Sequence, residues 1–402
     1  MSASECILDT TVTWEDFERK IRDALSTDAR LGPNKFAGHT SRCCLIACDW
    51  IDATESEKLP SKVVLKITSA AGFRALDDSL PEGSKMFDYD DAQWKAMERT
   101  MNRMHNIEAA SYNFFAPFEG LMIPKKYYGE RINKGESGQL CLQYIDNSRM
   151  MNFHEEHSVE QVRQIARALG KLQACSLKQP VTARELQMDF FGSMPQFWSF
   201  ETYAGMFKGI LAYDCSESTK KLMAKIDALL PKYYGVNLAT TVHKQMGFPP
   251  VIVHGDLHTG NVLIDKDTGD LASIIDWQIT HLGVGVEDLH RIALSALMTE
   301  TRRAAMPSLI AEMYNSLVEN LHGAEPPYSL KTVIASTLGP ALSTLRALFC
   351  QFVHSADQGV LNFFLQNDKI VSIIGCLEDI LELDIKNKKQ IGNLKFTYTS
   401  NM

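Results

Sequence analysis

Apolar residues recur at helical spacing in three segments of the chain. Residues 13–25 place Trp14 and Phe17 on one face, directly after a threonine that can cap the helix. The segment 92–116 continues the same periodicity over a greater length and is predicted as one helix or two. Residues 158–176 begin with a serine and are predicted as a capped amphipathic helix.

Shorter apolar runs predict β-strands. Residues 43–51 and 61–68 flank the turn-prone stretch LPSK, and we expect them to form a hairpin. Three more short strands are predicted at 251–253, 262–264 and 271–275, and the Lys-Asp-Thr-Gly sequence before the last of them predicts a hairpin turn. Two further strands are predicted in IPKKYYGERI and QLCLQYIDN.

Composition narrows the class of protein. The 402 residues are 45% hydrophobic and 22% charged, which is typical of a globular chain with two or three domains. A net charge of −8 argues against binding to nucleic acid or to an anionic membrane. We see no secretory signal and no apolar run near the roughly 18–20 residues of a membrane span. Nine cysteines without CxxC pairs are expected to be reduced thiols of a cytoplasmic protein.

The segment 251–278 carries the most specific pattern, in the sequence VIVHGDLHTGNVLIDKDTGDLASIIDWQ. Asp256 and Asn261 have the spacing of the catalytic loop H-R-D-x-x-x-x-N, and Asp276 ends a later apolar run. A transferring phosphoryl group carries dense negative charge, and Mg²⁺ prefers oxygen ligands. We therefore predict Asn261 and Asp276 as metal ligands and Asp256 as the catalytic base, with His254 supporting the loop by hydrogen bonds.

A second set of candidates lies in the first half of the chain. Lys66 stands in V-V-L-K-I, which matches the strand lysine that binds nucleotide phosphates. Its partner should be a glutamate on a following helix, and we predict Glu108, with Glu98 as the alternative. The order of elements then predicts an α+β fold of bilobal, protein-kinase-like architecture. The small β-rich lobe over 1–145 should bind nucleotide, and the larger helical lobe over 146–402 should carry catalysis and bind the acceptor.

Contacts to the rest of the nucleotide are less clearly marked in the sequence. The chain lacks a G-x-G-x-x-G loop and offers Gly38-His-Thr-Ser instead, so Gly38, Thr40 and Ser41 are the candidates for binding phosphates. An ordinary turn before a strand is the competing interpretation. The adenine should bind backbone groups of the connector at Gln143, Tyr144 and Ile145.

The chain resembles the CHK-kinase-like, or ecdysteroid-kinase-like, family, which is related to aminoglycoside phosphotransferases and choline kinases. The matching pieces are LPSKVVLKI, HNIEAASYNFF, IPKKYYG, HGDLHTGN and IIDWQITHLGVGVEDLHRI. The resemblance implies ATP- and Mg²⁺-dependent phosphorylation of a hydroxyl on a small molecule. Only eleven residues separate Asp276 from Asp288, which leaves no room for a peptide-docking segment. Asp288 and Arg291 are expected to tie this region together by a local ion pair.

The acceptor itself is left open. Aromatic residues concentrated in MDFFGSMPQFWSF (188–200) could line an apolar pocket for a lipophilic alcohol, a sterol or a glycoside, although core packing is the favoured explanation for most of them. Phe349, Phe352, Phe363 and Phe364 raise the same question. The alternatives are a choline or ethanolamine kinase, in which Trp198 would hold an ammonium group, and a catalytically silent nucleotide-binding protein. The sequence does not indicate an oligomeric state.

Overall fold

In the computed structural model the chain forms two compact units. The first contains residues 1–148 and 272–279, and the second contains residues 149–271 and 280–402. The predicted division at residue 145, with its assignment of nucleotide and acceptor, stays a prediction. The structure describes residues 5–7, 10–32, 36–40, 43–54, 58–69, 74, 78, 89–129, 131–132, 138–151, 155–183, 186, 211, 214–233, 243–244, 247, 249–335, 375, 377–379 and 382.

The first unit contains a five-stranded antiparallel sheet in the order β2-β3-β5-β7-β6. The predicted hairpin is confirmed, because β3 pairs with β5 and Cys43 lies opposite Lys66. A separate pair joins β1 to β4. The strands of this unit are β1 (Arg30–Leu31), β2 (Phe36–Thr40), β3 (Cys43–Ala47), β4 (Trp50–Ile51), β5 (Lys62–Thr68), β6 (Lys126–Gly129) and β7 (Gly138–Gln143).

Two helices complete the first unit. Helix α1 (Trp14–Leu25) begins where Thr13 caps it, because the Thr13 hydroxyl accepts a hydrogen bond from the Asp16 N–H at 3.1 Å. The apolar face of α1 packs into a core that includes alternate residues of β3 and β5. Helix α2 (Asp91–Phe115) is one continuous helix with a capping box at its start, so the two-helix alternative is wrong.

The second unit is mainly helical. Its helices are α3 (Val159–Lys178), α4 (Pro180–Ala183), α5 (Glu217–Tyr233), α6 (Val286–Ala296), α7 (Thr299–Asn320) and α8 (Leu330–Ala335). Ser158 caps α3 as predicted. Helices α3 and α7 approach closely at Gly170, where an added Cβ would lie 2.2 Å from the Met313 carbonyl oxygen. The predicted α+β class, with a β-rich first part and a helical second part, is confirmed.

Five further short strands are described, and four of them lie in or next to the segment 251–278. Strands β9 (Val251–Val253) and β12 (His281–Gly283) pair antiparallel, with Val253 opposite His281. The remaining strands are β8 (Ser148–Met150), β10 (Val262–Asp265) and β11 (Leu271–Ile274). The predicted turn after β10 is present, because the Asp265 N–H donates to the Asp270 carbonyl at 2.9 Å and Gly269 has a φ of +74°.

The described residues bear on the predictions about the cysteines and about membrane spans. The seven cysteines among them are free thiols: Cys6, Cys43, Cys44, Cys48, Cys141, Cys175 and Cys215. In the same part of the chain, no helix combines the length and the apolar character needed to cross a membrane.

Candidate active site

Lys66 lies between two carboxylates of the first unit. Its Nζ donates to both oxygens of Glu108 at 2.7 Å and to Oδ1 of Asp276 at 2.6 Å. Alternation along β5 puts Val63 and Leu65 in the core and turns Lys66 to the other face of the sheet. Helix α2 supplies Glu108 from its buried side, whereas the alternative partner Glu98 is exposed.

In this cluster the Lys66 ammonium contacts two carboxylates. Burial opposes the charge on Lys66, but Asp276 and Glu108 more than offset that effect and hold the pKa of the ammonium well above its usual range. Burial raises the pKa of Glu108, with Lys66 opposing the rise and Asp276 adding to it. A group that brought positive charge would therefore be electrostatically favoured beside these carboxylates.

Asp276 has a backbone conformation that the sequence did not indicate. Its φ is +69°, in the left-handed region that non-glycine residues rarely adopt. The next residue, Trp277, is 1% exposed and packs edge-on against Phe115, with ring centroids 4.8 Å apart. The Gln278 Nε2 donates to Asp276 Oδ2 at 3.1 Å. These contacts hold the turn in which the Asp276 carboxylate meets Lys66.

The candidate catalytic loop belongs to the second unit and is held by its backbone. The N–H groups of His254 and Gly255 donate to the two oxygens of Asp288 at 2.7 Å and 3.0 Å. The Gly255 carbonyl accepts a hydrogen bond from Arg291 Nη1 at 2.6 Å. Gly255 has a φ of +83°, which glycine adopts without steric cost. Helix α6 therefore binds both backbone polar groups of Gly255, the residue that precedes Asp256.

Asp256 is bound through its side chain and its backbone. Arg291 Nη2 donates to Asp256 Oδ1. The Asp256 N–H donates to Nδ1 of His254 at 3.2 Å, and the His254 side chain is fully buried. The supporting role predicted for His254 is thus matched by a contact. The expected ion pair of Asp288 with Arg291 is wrong, because each residue binds the loop instead.

Asn261 follows in a short 3-10 turn, Thr259–Asn261. Its Nδ2 donates to the Asp256 carbonyl at 2.9 Å, and the residue is 7% exposed. With the amide nitrogen engaged, the side-chain oxygen is the atom that could bind a cation. Asn261 lies in the second unit and Asp276 in the first, so their joint binding of a metal stays a prediction.

The donor chemistry of these two residues fits magnesium. An amide oxygen and a carboxylate are hard ligands of the kind that Mg²⁺ prefers. Among the described residues, no group of three or more His, Cys, Asp or Glu residues is arranged to hold a metal by itself.

The candidate phosphate-binding residues differ from expectation. Gly38 and Thr40 were expected in a loop, but both lie in β2, opposite Leu45 and Cys43. The sequence Gly-His-Thr has no apolar alternation, and backbone pairing with β3 forms the strand nevertheless. Ser41 lies outside the described residues, as do the aromatic residues of 188–200 and the four phenylalanines between 349 and 364.

The residues predicted to bind adenine lie at the end of β7 and directly after it. Gln143 ends β7, and its backbone N–H donates to the Lys125 carbonyl at 2.8 Å, so this donor is already engaged. The Tyr144 ring lies under Lys62 Nζ, 5.4 Å from the ring centroid. The Ile145 carbonyl accepts a hydrogen bond from the Ser148 hydroxyl at 2.7 Å. Adenine binding by these residues remains a prediction.

Comparison with known proteins places the chain in a family. The model of the family described as "Uncharacterized oxidoreductase dhs-27" matches residues 1–337, so the chain belongs to that family. The "Uncharacterized kinase-like protein D1044.1" of Caenorhabditis elegans is 23% identical over 301 residues, covering 72% of this chain and 73% of that protein. The predicted kinase-like resemblance is confirmed by this relative.

The name of the family belongs to a much longer protein. The Caenorhabditis elegans "Uncharacterized oxidoreductase dhs-27" is 25% identical over 210 residues, which cover 49% of this chain but 25% of that protein. Similar solved structures include a choline kinase from Cryptosporidium parvum (11% identity, 90% of each chain, TM-score 0.44). A Plasmodium vivax ethanolamine kinase is also similar (12% identity, 95% of this chain, 94% of that one, TM-score 0.45).

Proposed function

We propose that this protein is an ATP-dependent phosphotransferase that acts on a hydroxyl group of a small molecule. The observation that carries the proposal is Lys66, bound to Glu108 at 2.7 Å and to Asp276 at 2.6 Å. A lysine oriented by a buried glutamate is suited to binding nucleotide phosphates. A carboxylate beside it is suited to binding the metal that accompanies those phosphates.

Each residue has a role in this proposal. Lys66, oriented by Glu108, binds phosphate oxygens of the nucleotide. Asp276 and Asn261 would each offer an oxygen ligand of the kind that Mg²⁺ prefers, and the ion would offset the charge of the phosphates. Asp256 orients the acceptor hydroxyl and takes its proton as the new oxygen–phosphorus bond forms and the bond from the γ-phosphorus to the departing nucleoside diphosphate breaks.

The acceptor class is the least constrained part of the proposal. We propose a lipophilic alcohol, a sterol or a glycoside, because aromatic residues are concentrated in 188–200. An acceptor panel should therefore contain such alcohols together with choline, ethanolamine and an aminoglycoside. If choline were the one acceptor that is phosphorylated, the acceptor class would be an ammonium alcohol instead of a lipophilic alcohol. The reaction would still be phosphoryl transfer to a hydroxyl group.

The experiment compares the wild type with Asp256→Asn in the presence of ATP and Mg²⁺. Loss of the base should lower kcat by about 10²–10⁴-fold, with the dissociation constant for ATP changed far less. Asp267→Asn is the matched control, because it makes the same substitution in an exposed turn of the same unit. Nucleotide binding without product from any acceptor would favour a silent nucleotide-binding protein, and absence of nucleotide binding would refute the proposal.

A further inference from the structure

Helix α2 carries a buried hydroxyl near Glu108. Tyr112 is 2% exposed, and its hydroxyl has no hydrogen-bond partner among the described residues. It follows Glu108 by four residues, a spacing that makes two side chains neighbours on one face of a helix. Both side chains are buried, so the pair lies on the inner face of α2. A buried O–H group without an acceptor is destabilising, and such groups are rare in folded proteins.

The hydroxyl of Tyr112 lies near the candidate nucleotide site. Burial raises the pKa of Tyr112 well above its usual range, and the charge of Glu108 is the next cause of the rise. Asp276 acts in the same direction, and Lys66 opposes it. All four residues belong to the first unit. The unpartnered donor is therefore within electrostatic reach of the cluster around Lys66.

The Lys66 ammonium has no donor to spare. Two of its N–H groups bind Oε1 and Oε2 of Glu108 at 2.7 Å, and the third binds Oδ1 of Asp276 at 2.6 Å. An ammonium group has three donors in all. Lys66 can therefore donate to a phosphate oxygen only after it gives up one of these contacts.

A nucleotide requires two of these donors. In kinase-type sites the strand lysine binds the α- and β-phosphates and keeps its glutamate. Lys66 would then give up Asp276 and one oxygen of Glu108. The glutamate is 3% exposed, and the Trp277 backbone N–H already donates to its carboxylate. A further donor is needed to keep this buried carboxylate fully hydrogen-bonded.

We propose that Tyr112 is a positioning residue whose hydroxyl donates to the Glu108 oxygen that Lys66 releases. This inference rests on the proposed function. In the free protein Lys66 binds both oxygens of Glu108. When Lys66 turns to the phosphates, Tyr112 replaces it at one oxygen, and the other oxygen continues to hold the ammonium. This exchange of donors leaves the carboxylate with the same number of hydrogen bonds in both states.

Tyr112→Phe should have different effects on the free protein and on its nucleotide complex. The free protein loses an unpaired hydroxyl, so its melting temperature should equal or exceed that of the wild type. The complex loses a hydrogen bond to a charged group. The dissociation constant for a non-hydrolysable ATP analogue with Mg²⁺ should therefore rise about tenfold. A role in packing alone predicts no change in affinity, because phenylalanine fills the same space.

Tyr314→Phe is the matched control. The Tyr314 hydroxyl donates to the Tyr328 carbonyl at 2.9 Å in the second unit, so this tyrosine has its partner in the free protein. Its replacement should lower the melting temperature and leave the dissociation constant for the analogue unchanged. The two variants should thus show the reverse of each other's effects.

A spectroscopic measurement follows the Tyr112 hydroxyl directly. The ¹³Cζ resonance of a tyrosine responds to hydrogen bonding of its hydroxyl, and the Tyr112 signal is the one that is missing in Tyr112→Phe. This signal should shift when the analogue binds, and the shift should be lost in Glu108→Gln at saturating analogue. In the Glu108→Gln protein, the added change Tyr112→Phe should raise the dissociation constant by well under tenfold, because no buried charge remains there to stabilise.

The remaining outcomes each overturn a defined statement. An unchanged dissociation constant in Tyr112→Phe, or a Tyr112 signal that does not respond to the analogue, would refute the exchange of donors alone. If Tyr112→Phe melted at a lower temperature or did not fold, the hydroxyl would be required in the free protein, and the exchange would be wrong. Absence of analogue binding by the wild type would refute the proposed function itself, and the exchange with it.

Discussion

Replacing Asp288 by asparagine should change how the stability of the second unit depends on pH. Asp288 is 1% exposed, and its carboxylate accepts the backbone N–H groups of His254 and Gly255. Burial raises the pKa of Asp288 to about 7, and Glu287 adds to the rise while the two backbone N–H groups oppose it. Asparagine has nearly the same shape but does not titrate.

The sign of the effect follows from proton binding. The unfolded chain loses the Asp288 proton near the ordinary pKa of 3.8, whereas the folded protein keeps it until about pH 7. Between these values the folded state binds more protons, so the free energy of unfolding falls as the pH rises. At about 1.4 kcal/mol per pKa unit, the carboxyl group should remove about 2–3 kcal/mol of stability between roughly pH 5 and pH 8.

The assay is urea unfolding of the wild type and Asp288→Asn at a series of pH values. The stability of the wild type relative to the variant should decline by that amount as the pH rises. Amide hydrogen exchange should be measured at the same pH values, because it shows whether the change in stability lies in the second unit. Asp267→Asn controls for the loss of one negative charge. If the free energies of unfolding of the wild type and of Asp288→Asn changed with pH in parallel, the raised pKa of Asp288 would be refuted.

Two further predictions concern packing and the buried charges. Lys66→Met leaves the carboxylate of Glu108 buried without its cation, so the free energy of unfolding should fall by about 3–5 kcal/mol in urea titrations, and the added change Glu108→Gln should recover part of it. Gly170→Ala places a methyl group against the Met313 carbonyl and should separate the two helices, which should lower stability by about 1–3 kcal/mol in the same assay. A wild-type midpoint in either variant would contradict the corresponding contact.

Local patterns in the sequence predicted the regular elements well. The apolar run over 61–68 predicted the strand that carries Lys66, and the structure shows Val63 and Leu65 buried on one face of it, because a strand has a period of two residues. The caps Thr13 and Ser158 marked two helix starts, since their hydroxyls satisfy backbone N–H groups that have no partner within the helix.

Tertiary contacts explain what the sequence did not predict. Strand β2 has no apolar alternation and is formed by its pairing with β3. The contact of Arg291 with Asp256 joins residues 35 positions apart, so no local pattern contains it. In the sequence Asp288 and Arg291 are three residues apart, which puts them on the same face of helix α6. Their buried position indicates a polar partner, but the identity of that partner depends on where the loop lies.

Helix α6 holds the candidate catalytic loop with an acidic and a basic side chain one turn apart. Asp288 lies in the first turn of the helix and accepts hydrogen bonds from two N–H groups of the loop. Arg291 donates to the carbonyl of Gly255 and to the carboxylate of Asp256. Each side chain binds loop groups of complementary polarity, so the loop conformation is specified by buried contacts of the protein itself. Asp256 is therefore oriented before any ligand binds, which is the condition for preorganised catalysis.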